Sequence, residues 1–294
     1  MMNSKQGQFS FVPFKRRFVL LTAAFALTTL VSSCSTSETA SSGQATQSEQ
    51  PTQNEVLTVG VTPVPAGEIL AFVRDELAPE AGLEIKIVEF NEFNQPNLAL
   101  KEGELDANYF QHIPFMEDFG KQHDIDLVPL NAIHLNPVGA FSKRFQSLDE
   151  LPDNATVTVP NDVTNLNRAL KLLAENGLIT LREGVGELAT TKDITENPKN
   201  LQIVEIEAPS LVRSLDDVDV SVITGNFVVQ AGMNTREDAI ALEDPEGSRY
   251  AVRLATLRGQ ENDPRIQTLN ELLVDPQVRE FIEEKYDGAV IPVF

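Results

Sequence analysis

From residue 56 onward strands and helices alternate along this chain, and that alternation restricts the fold more than any other feature. "VLTVGVTPVP" (56–65) alternates β-branched residues and breaks at Pro63 and Pro65, as a strand entering a loop does. "AGEILAFVRDELAP" (66–79) then sets Ile69, Leu70, Phe72, Val73 and Leu77 at helical spacing and stops at Pro79. A strand over 83–90, a short helix within 96–107, a helix near 114–122 and strands near 126–142 follow. A second series begins at "ATVTVPND" (155–162) and continues in an amphipathic helix over 164–177 that ends on Gly177. Strands at 201–207, 219–225 and 250–258 lead to two closing helices near 264–274 and 276–286. Such an order predicts an α/β protein built on parallel sheets. The segmentation suggests lobe 1 from 55–145 with 227–294 returning to it, and lobe 2 from 146–226. One continuous sheet fits the same order. Either way, a ligand crevice is expected where the carboxyl ends of strands converge.

The N-terminus bears on location. Lys15, Arg16 and Arg17 precede a 14-residue apolar run, Phe18 to Val31, followed by Ser32, Ser33 and Cys34. A positive segment, a short apolar core and small residues at the cut are the parts of a secretory signal peptide over 1–33. The run is shorter than the roughly 20 residues of a membrane span. Cys34 is the only cysteine, so no intramolecular disulfide can form. "VSSC" resembles a bacterial lipobox, which implies a lipid such as palmitate on Cys34. Residues 34–54 are rich in Ser, Thr and Gln without apolar periodicity, the composition of a flexible tether.

Formal net charge is −21, and loss of 1–33 leaves 19 Lys and Arg against 44 Asp and Glu, or −25. A field of that sign disfavours nucleic acid and anionic lipid surfaces. Any anionic ligand group therefore needs a specific local cation.

Two stretches could supply a binding site. Of 14 aromatic residues after Cys34, six fall between Phe90 and Phe119. Phe90 and Phe119 fit a core edge, whereas Phe93, Phe110 and Phe115 sit beside Asn91, Asn94, Asn97, Gln111 and His112. Rings interleaved with neutral hydrogen-bonding groups describe a pocket wall for a small, partly apolar ligand. In "VPNDVTNLNRAL" (159–170) a strand ends at Pro160, and Asn161, Asp162 and Thr164 can cap the helix that follows. Asn165 and Arg168 share a face of its first turns, where an Arg fork beside a helix N-terminus can receive a carboxylate. A surface arginine paired with Asp162 satisfies the same spacing. No nucleophile elbow, GxGxxG or P-loop pattern occurs. His112, His123 and His134 are spaced eleven apart, but Pro114 interrupts a shared helix, so no metal or cofactor is expected. Asp216, Asp217 and Asp219 read as a solvated acidic turn.

Six ordered blocks, "VGVTPVPAGEIL", "FNEFNQPNLAL", "GELDANYFQHIPF", "VPNDVTNLNRALKLLAENGLI", "ENPKNLQIVEIEAPSLVRSLDD" and "VSVITGNFVVQAGM", resemble the methionine-binding lipoproteins of the NlpA/MetQ family from about Val56 to Phe294. The resemblance implies an α/β, two-lobed type II periplasmic-binding-protein fold with the ligand in the cleft between lobes. It implies that Phe93, Phe110, His112 and Phe115 surround a methionine side chain, that Asn165 and Arg168 hold its carboxylate, and that Thr224 or Asn226 reaches the amino-acid head. It further implies a lipid-anchored, non-enzymatic subunit outside the cytoplasm that serves an ABC permease and its ATPase. Thr224 stands where the family usually has Asn, and Phe93 and Phe115 where Tyr is common, so ligand choice can differ. Another small amino acid or peptide-like ligand remains an alternative, as does a secreted enzyme using His112 with Asp106 as its nearest carboxylate.

Overall fold

Two sheets form, each around its own core. The first contains β1 (Leu57–Val61), β2 (Ile85–Glu89), β3 (Ala107–Gln111), β4 (Leu127–Leu135), β12 (Val252–Leu257) and β13 (Ile291–Pro292), in the order β13-β4-β12-β3-β1-β2. The second contains β5 (Val138–Phe141), β6 (Thr156–Pro160), β9 (Gln202–Ile206), β10 (Val220–Thr224) and β11 (Ala241–Leu242), in the order β11-β5-β10-β6-β9. A small hairpin-like pair, β7 (Thr180–Leu181) and β8 (Ile194–Glu196), stands apart. The computed structural model describes residues 56–244 and 249–294; the signal segment 1–33, the tether 34–54 and Cys34 lie outside them.

The sheets are mixed rather than wholly parallel, and the direction of each strand follows from where the chain crosses between them. β1, β2 and β3 run parallel, as do β6, β9 and β10, and their carboxyl ends deliver Gln111, Pro160 and Thr224 to one cleft. The chain passes from the first sheet to the second between β4 and β5, at Asn136–Pro137, and is back in the first sheet by β12 after β11. A strand that arrives from a crossing starts at the cleft and must run away from it. β5 is accordingly antiparallel to β10, with Val138 opposite Thr224, and β12 is antiparallel to β3 and β4. Two strands thus fall on the other side of the expected bounds: Val138–Phe141 and Ala241–Leu242 pair in the second sheet, not the first.

Helices cover both sheets. Glu68–Phe72, continued by Val73–Leu77, and Pro276–Tyr286 bury Ile69, Leu70, Val73, Val278 and Ile282 against β1 and β3 in the first core. Val163–Glu175 buries Leu166, Ala169, Leu170 and Leu173 against Val157, Val159, Val220 and Val222 in the second. These faces recur every three or four residues, the spacing that puts one helical stripe on a sheet. Among the described residues no helix is long and apolar enough to cross a membrane.

Candidate functional site

"DANYFQHIPF" (106–115) divides its labour. Asp106 accepts a hydrogen bond from the Thr58 N–H at 2.7 Å, at the far end of β3 from the cleft. Asn108 and Gln111 join Asn97 in a buried ring of amides: Asn97 Nδ2 donates to Gln111 Oε1 at 2.8 Å, Gln111 Nε2 to Asn97 Oδ1 at 2.7 Å, and Asn108 Nδ2 to Asn97 Oδ1 at 2.9 Å. The helix Gln95–Lys101 is thereby tied to β3, so these amides serve the framework as well as the pocket wall. Tyr109 points to the first core, where its hydroxyl is hydrogen-bonded to His134 Nδ1. Phe110, His112 and Phe115 remain for the cleft.

Phe93, Phe110 and Phe115 form a three-ring cluster with centroids 5.9–6.2 Å apart. Phe93 also meets Phe227 at 5.3 Å, from the helix that follows β10, so the ring cluster closes against the second sheet's side of the cleft. Phe90 and Phe119 pack as core residues, as the sequence suggests.

His112 caps the helix Ile113–His123: its Nδ1 accepts the Phe115 N–H at 3.2 Å. The proton of the neutral ring then sits on Nε2, which donates to Asn165 Oδ1 at 3.2 Å. Burial, aided by the nearby Arg168 charge, pushes the His112 pKa down to about 3, so the ring is neutral. Asn165 is fixed from both sides. Its Oδ1 also accepts from Arg168 Nη1 at 3.1 Å, and its Nδ2 donates to both Asp162 oxygens at 3.0 and 3.1 Å. Asp162 is the helix cap, accepting the Asn165 N–H at 2.9 Å.

Arg168 is buried, and its partner is Glu243 rather than Asp162. Nε and Nη2 donate to Glu243 Oε1 and Oε2 at 3.0 and 2.6 Å, and Nη2 also reaches the Asn136 carbonyl at 2.9 Å. The guanidinium lies 4.6 Å from the Tyr250 ring centroid, and Tyr250 in turn stands edge-on to His112 at 5.1 Å. The fork expected to be free for a ligand is thus engaged by a side chain from the second crossing. At Gly225 a Cβ would stand 2.9 Å from the Pro137 carbonyl oxygen, so the glycine lets the first crossing lie against the end of β10.

A small cavity of about 30 Å³ results between the rings and the Arg168 head. All eight expected residues, Phe93, Phe110, His112, Phe115, Asn165, Arg168, Thr224 and Asn226, line it. So do Gln111, Asn136, Tyr250 and Val252. Of these, Asn136 and Tyr250 sit on the crossings, and neither carries a motif that would have singled it out. The other histidines lie elsewhere: His134 in the first core, and His123 stacked on Phe119 at 4.1 Å. Among the described residues no group of three or more His, Cys, Asp or Glu is placed to hold a metal ion.

Two sheets joined by two crossings, with a cavity apolar at one end and polar at the other, define a two-lobed α/β solute-binding protein of the type II periplasmic kind. The chain belongs to the NlpA lipoprotein family, which matches residues 57–294. It is 39% identical over 236 residues to the D-methionine-binding lipoprotein MetQ of Escherichia coli K12, covering 79% of this chain and 86% of that one. A nutrient binding protein from Burkholderia cenocepacia bound to methionine superposes with a TM-score of 0.79 at 40% identity, over 81% of this chain and all of that one. An ABC transporter periplasmic substrate-binding protein from Coxiella burnetii gives 0.77 at 34% identity, again over 81% and 100%. These relatives are binding proteins, and the family is one of lipoproteins.

Proposed function

We propose that this protein is an extracytoplasmic receptor for methionine, held to the membrane by lipid on Cys34, that hands its ligand to an ABC permease and ATPase. The observation that carries the reading is the cavity between the sheets, with three phenylalanines at one end and a hydrogen-bonded Asn165–Arg168 head at the other. A flexible thioether suits a wall of rings, because sulfur–aromatic contacts are favourable and the unbranched chain adapts to the gap. The α-carboxylate would take Asn226 and the remaining Arg168 Nη1 hydrogen, or displace Glu243 from the fork. Lobes would follow the sheets, exchanging at the two crossings, and closure around the ligand would present both to the permease together.

No bond is made or broken in this reading. His112 uses both ring nitrogens within the protein, and Asp106 stands six residues away along β3 and its extension, roughly 20 Å at strand rise. Isothermal titration of residues 35–294 with L- and D-methionine tests the assignment. Saturable binding of either supports it. Binding of neither, with another amino acid bound tightly, replaces methionine but keeps the receptor class.

A further inference from the structure

The helix Ile113–His123 serves two spaces. Its start belongs to the ligand cavity, through the capping His112 and through Phe115. Ile113, Met116, Glu117 and Gly120, at the i, i+3, i+4, i+7 spacing of one helical stripe, line another. With Ile125 and Leu127, where the chain returns into β4, they form an open groove of about 290 Å³. Gly120 permits that return: a Cβ there would stand 2.7 Å from the Ile125 carbonyl oxygen. Met116 and Ile125 are buried in the floor, whereas Glu117 and Lys121 on the rim are exposed.

From that rim an ion bridge leads to the second sheet's side. Arg249 Nη2 donates to Glu117 Oε2 at 2.9 Å and Nη1 to Glu187 Oε2 at 2.6 Å. Glu187 precedes Leu188, which is 49% exposed, more than any other large hydrophobic side chain among the described residues. Ala189 beyond it is buried in the second core. Groove, bridge and Leu188 are thus one continuous face with parts from both sheets. Apolar surface of this kind, rimmed by charge, marks contact with another protein. One guanidinium serves two carboxylates, and the neighbouring Asp118 accepts from the Gln122 amide without an ion pair among the described residues. Glu117, Asp118 and Glu187 therefore stand against Arg249 and Lys121, three carboxylates to two cations, and a basic partner complements them.

We propose that this face docks a loop of the permease, with an apolar side chain of the loop in the groove and a neighbouring Lys or Arg against Glu117 and Glu187. This rests on the receptor reading above. The face is whole only while the two sheets stand together, because separating them parts Glu187 and Leu188 from the groove. A partner that needs both halves therefore selects the closed form. The groove and the ligand cavity also share one helix, so that filling the cavity fixes the element that shapes the groove.

The test uses residues 34–294 carrying Cys34→Ser, which leaves no thiol, with the cognate permease–ATPase complex in nanodiscs. Methionine-stimulated ATP hydrolysis is measured against receptor concentration. Lys121→Cys, at the groove rim, is assayed before and after attachment of a bulky maleimide. Lys86→Cys, exposed on β2 at the far end of the same sheet, is the control. Labelling at position 121 should raise the half-maximal concentration about tenfold or more, and labelling at position 86 should change it by less than about twofold. Leu188→Asp should act as labelling at 121 does, by setting a further negative charge on an acidic face. Titration calorimetry should give the parent's methionine affinity for every one of these proteins, which separates docking from ligand capture and from misfolding. Unchanged stimulation after labelling at 121 and in Leu188→Asp would overturn the proposal. So would a dimer in sedimentation that labelling at 121 dissociates, since the face would then join two copies of this chain. A parent that binds methionine but never stimulates hydrolysis would instead remove the receptor reading, and this proposal with it.

Discussion

Arg168→Ala should destabilise the ligand-free protein by about 3–5 kcal/mol, the usual cost of removing one partner from a buried ion pair. The figure applies because the Arg168 side chain is 2% exposed and Glu243 16%, so water cannot take over the lost contacts easily. Removal would strip two of its three donors from the Glu243 carboxylate, one from Asn165 Oδ1 and one from the Asn136 carbonyl. Glu243 would retain the Val138 N–H at 3.0 Å, which argues for the lower half of the range. For a domain of about this size each kcal/mol moves the midpoint by roughly 2–4 °C, so the loss should be about 6–20 °C. Scanning calorimetry at pH 7 without ligand reads it. Arg168→Lys should recover part of the loss, because an ammonium cannot span both carboxylate oxygens. Replacing both partners, as in Arg168→Met with Glu243→Leu, should recover more than either single change, since no charge is then left buried alone. A midpoint within 2 °C of the parent for Arg168→Ala would refute the buried pair. A large loss of stability with undiminished methionine affinity would instead leave Arg168 a structural residue and place the carboxylate site elsewhere.

Other consequences are open to the same kind of measurement. Burial holds His112 and His134 at a pKa of about 3, against roughly 6.5 when unfolded. Above pH 6.5 both states are neutral and the shift has no effect; as pH falls toward 3 the unfolded chain binds the extra protons, so stability declines. Each histidine should account for about 1–2 kcal/mol between pH 7 and 5, and a denaturant series in which His134→Asn has the same pH slope as the parent would count against it. Asn97→Ala leaves Gln111 and Asn108 short of buried partners and should cost about 2–4 kcal/mol, whereas the exposed Asn91→Ala should cost almost nothing; equal midpoints in urea would dismiss the amide ring as a stabilising unit. Arg249 reaches Glu117 at 2.9 Å on the first sheet's side and Glu187 at 2.6 Å on the second, and all three are partly or well exposed. Arg249→Ala should speed ligand release about two- to fivefold at low ionic strength and have no effect in 0.5 M salt, which stopped-flow dissociation can resolve.

Much of this site can be read from short-range pattern because its parts are themselves local. The ring cluster lies within Phe93–Phe115, and Asp162, Asn165 and Arg168 lie within two turns of one helix. Helical spacing alone puts Arg168 one turn from Asn165, and capping chemistry alone orients Asp162 toward Asn165. Direction within the sheets was not legible in the same way. Alternation of strand and helix suggests parallel pairing, but whether β5 and β12 run with or against their neighbours depends on where the chain changes sheets. Nothing in "HLNPVGAF" marks Asn136–Pro137 as that point, since a nine-residue strand could run on into the next with only a bend.

The residues missed at the site share that origin. Asn136 and Tyr250 line the cavity, and Glu243 binds Arg168; all three belong to the two crossings. A crossing has no apolar period of its own, because its neighbours come from both sheets and its polar atoms are matched by whatever the cleft offers. Asn167 shows how such a segment is held: its Nδ2 donates to the Tyr250 hydroxyl at 3.1 Å, and its Oδ1 accepts the Ala189 N–H at 3.2 Å. From the sequence Asn167 is only a polar residue between two expected site residues. In the fold it is fully buried and fixes the ring that covers Arg168 and meets His112. Groups that line the cavity and groups that join the two sheets are therefore partly the same groups. Filling the cavity must bear on the geometry of both crossings, and that is the physical route by which occupancy can be read as lobe closure.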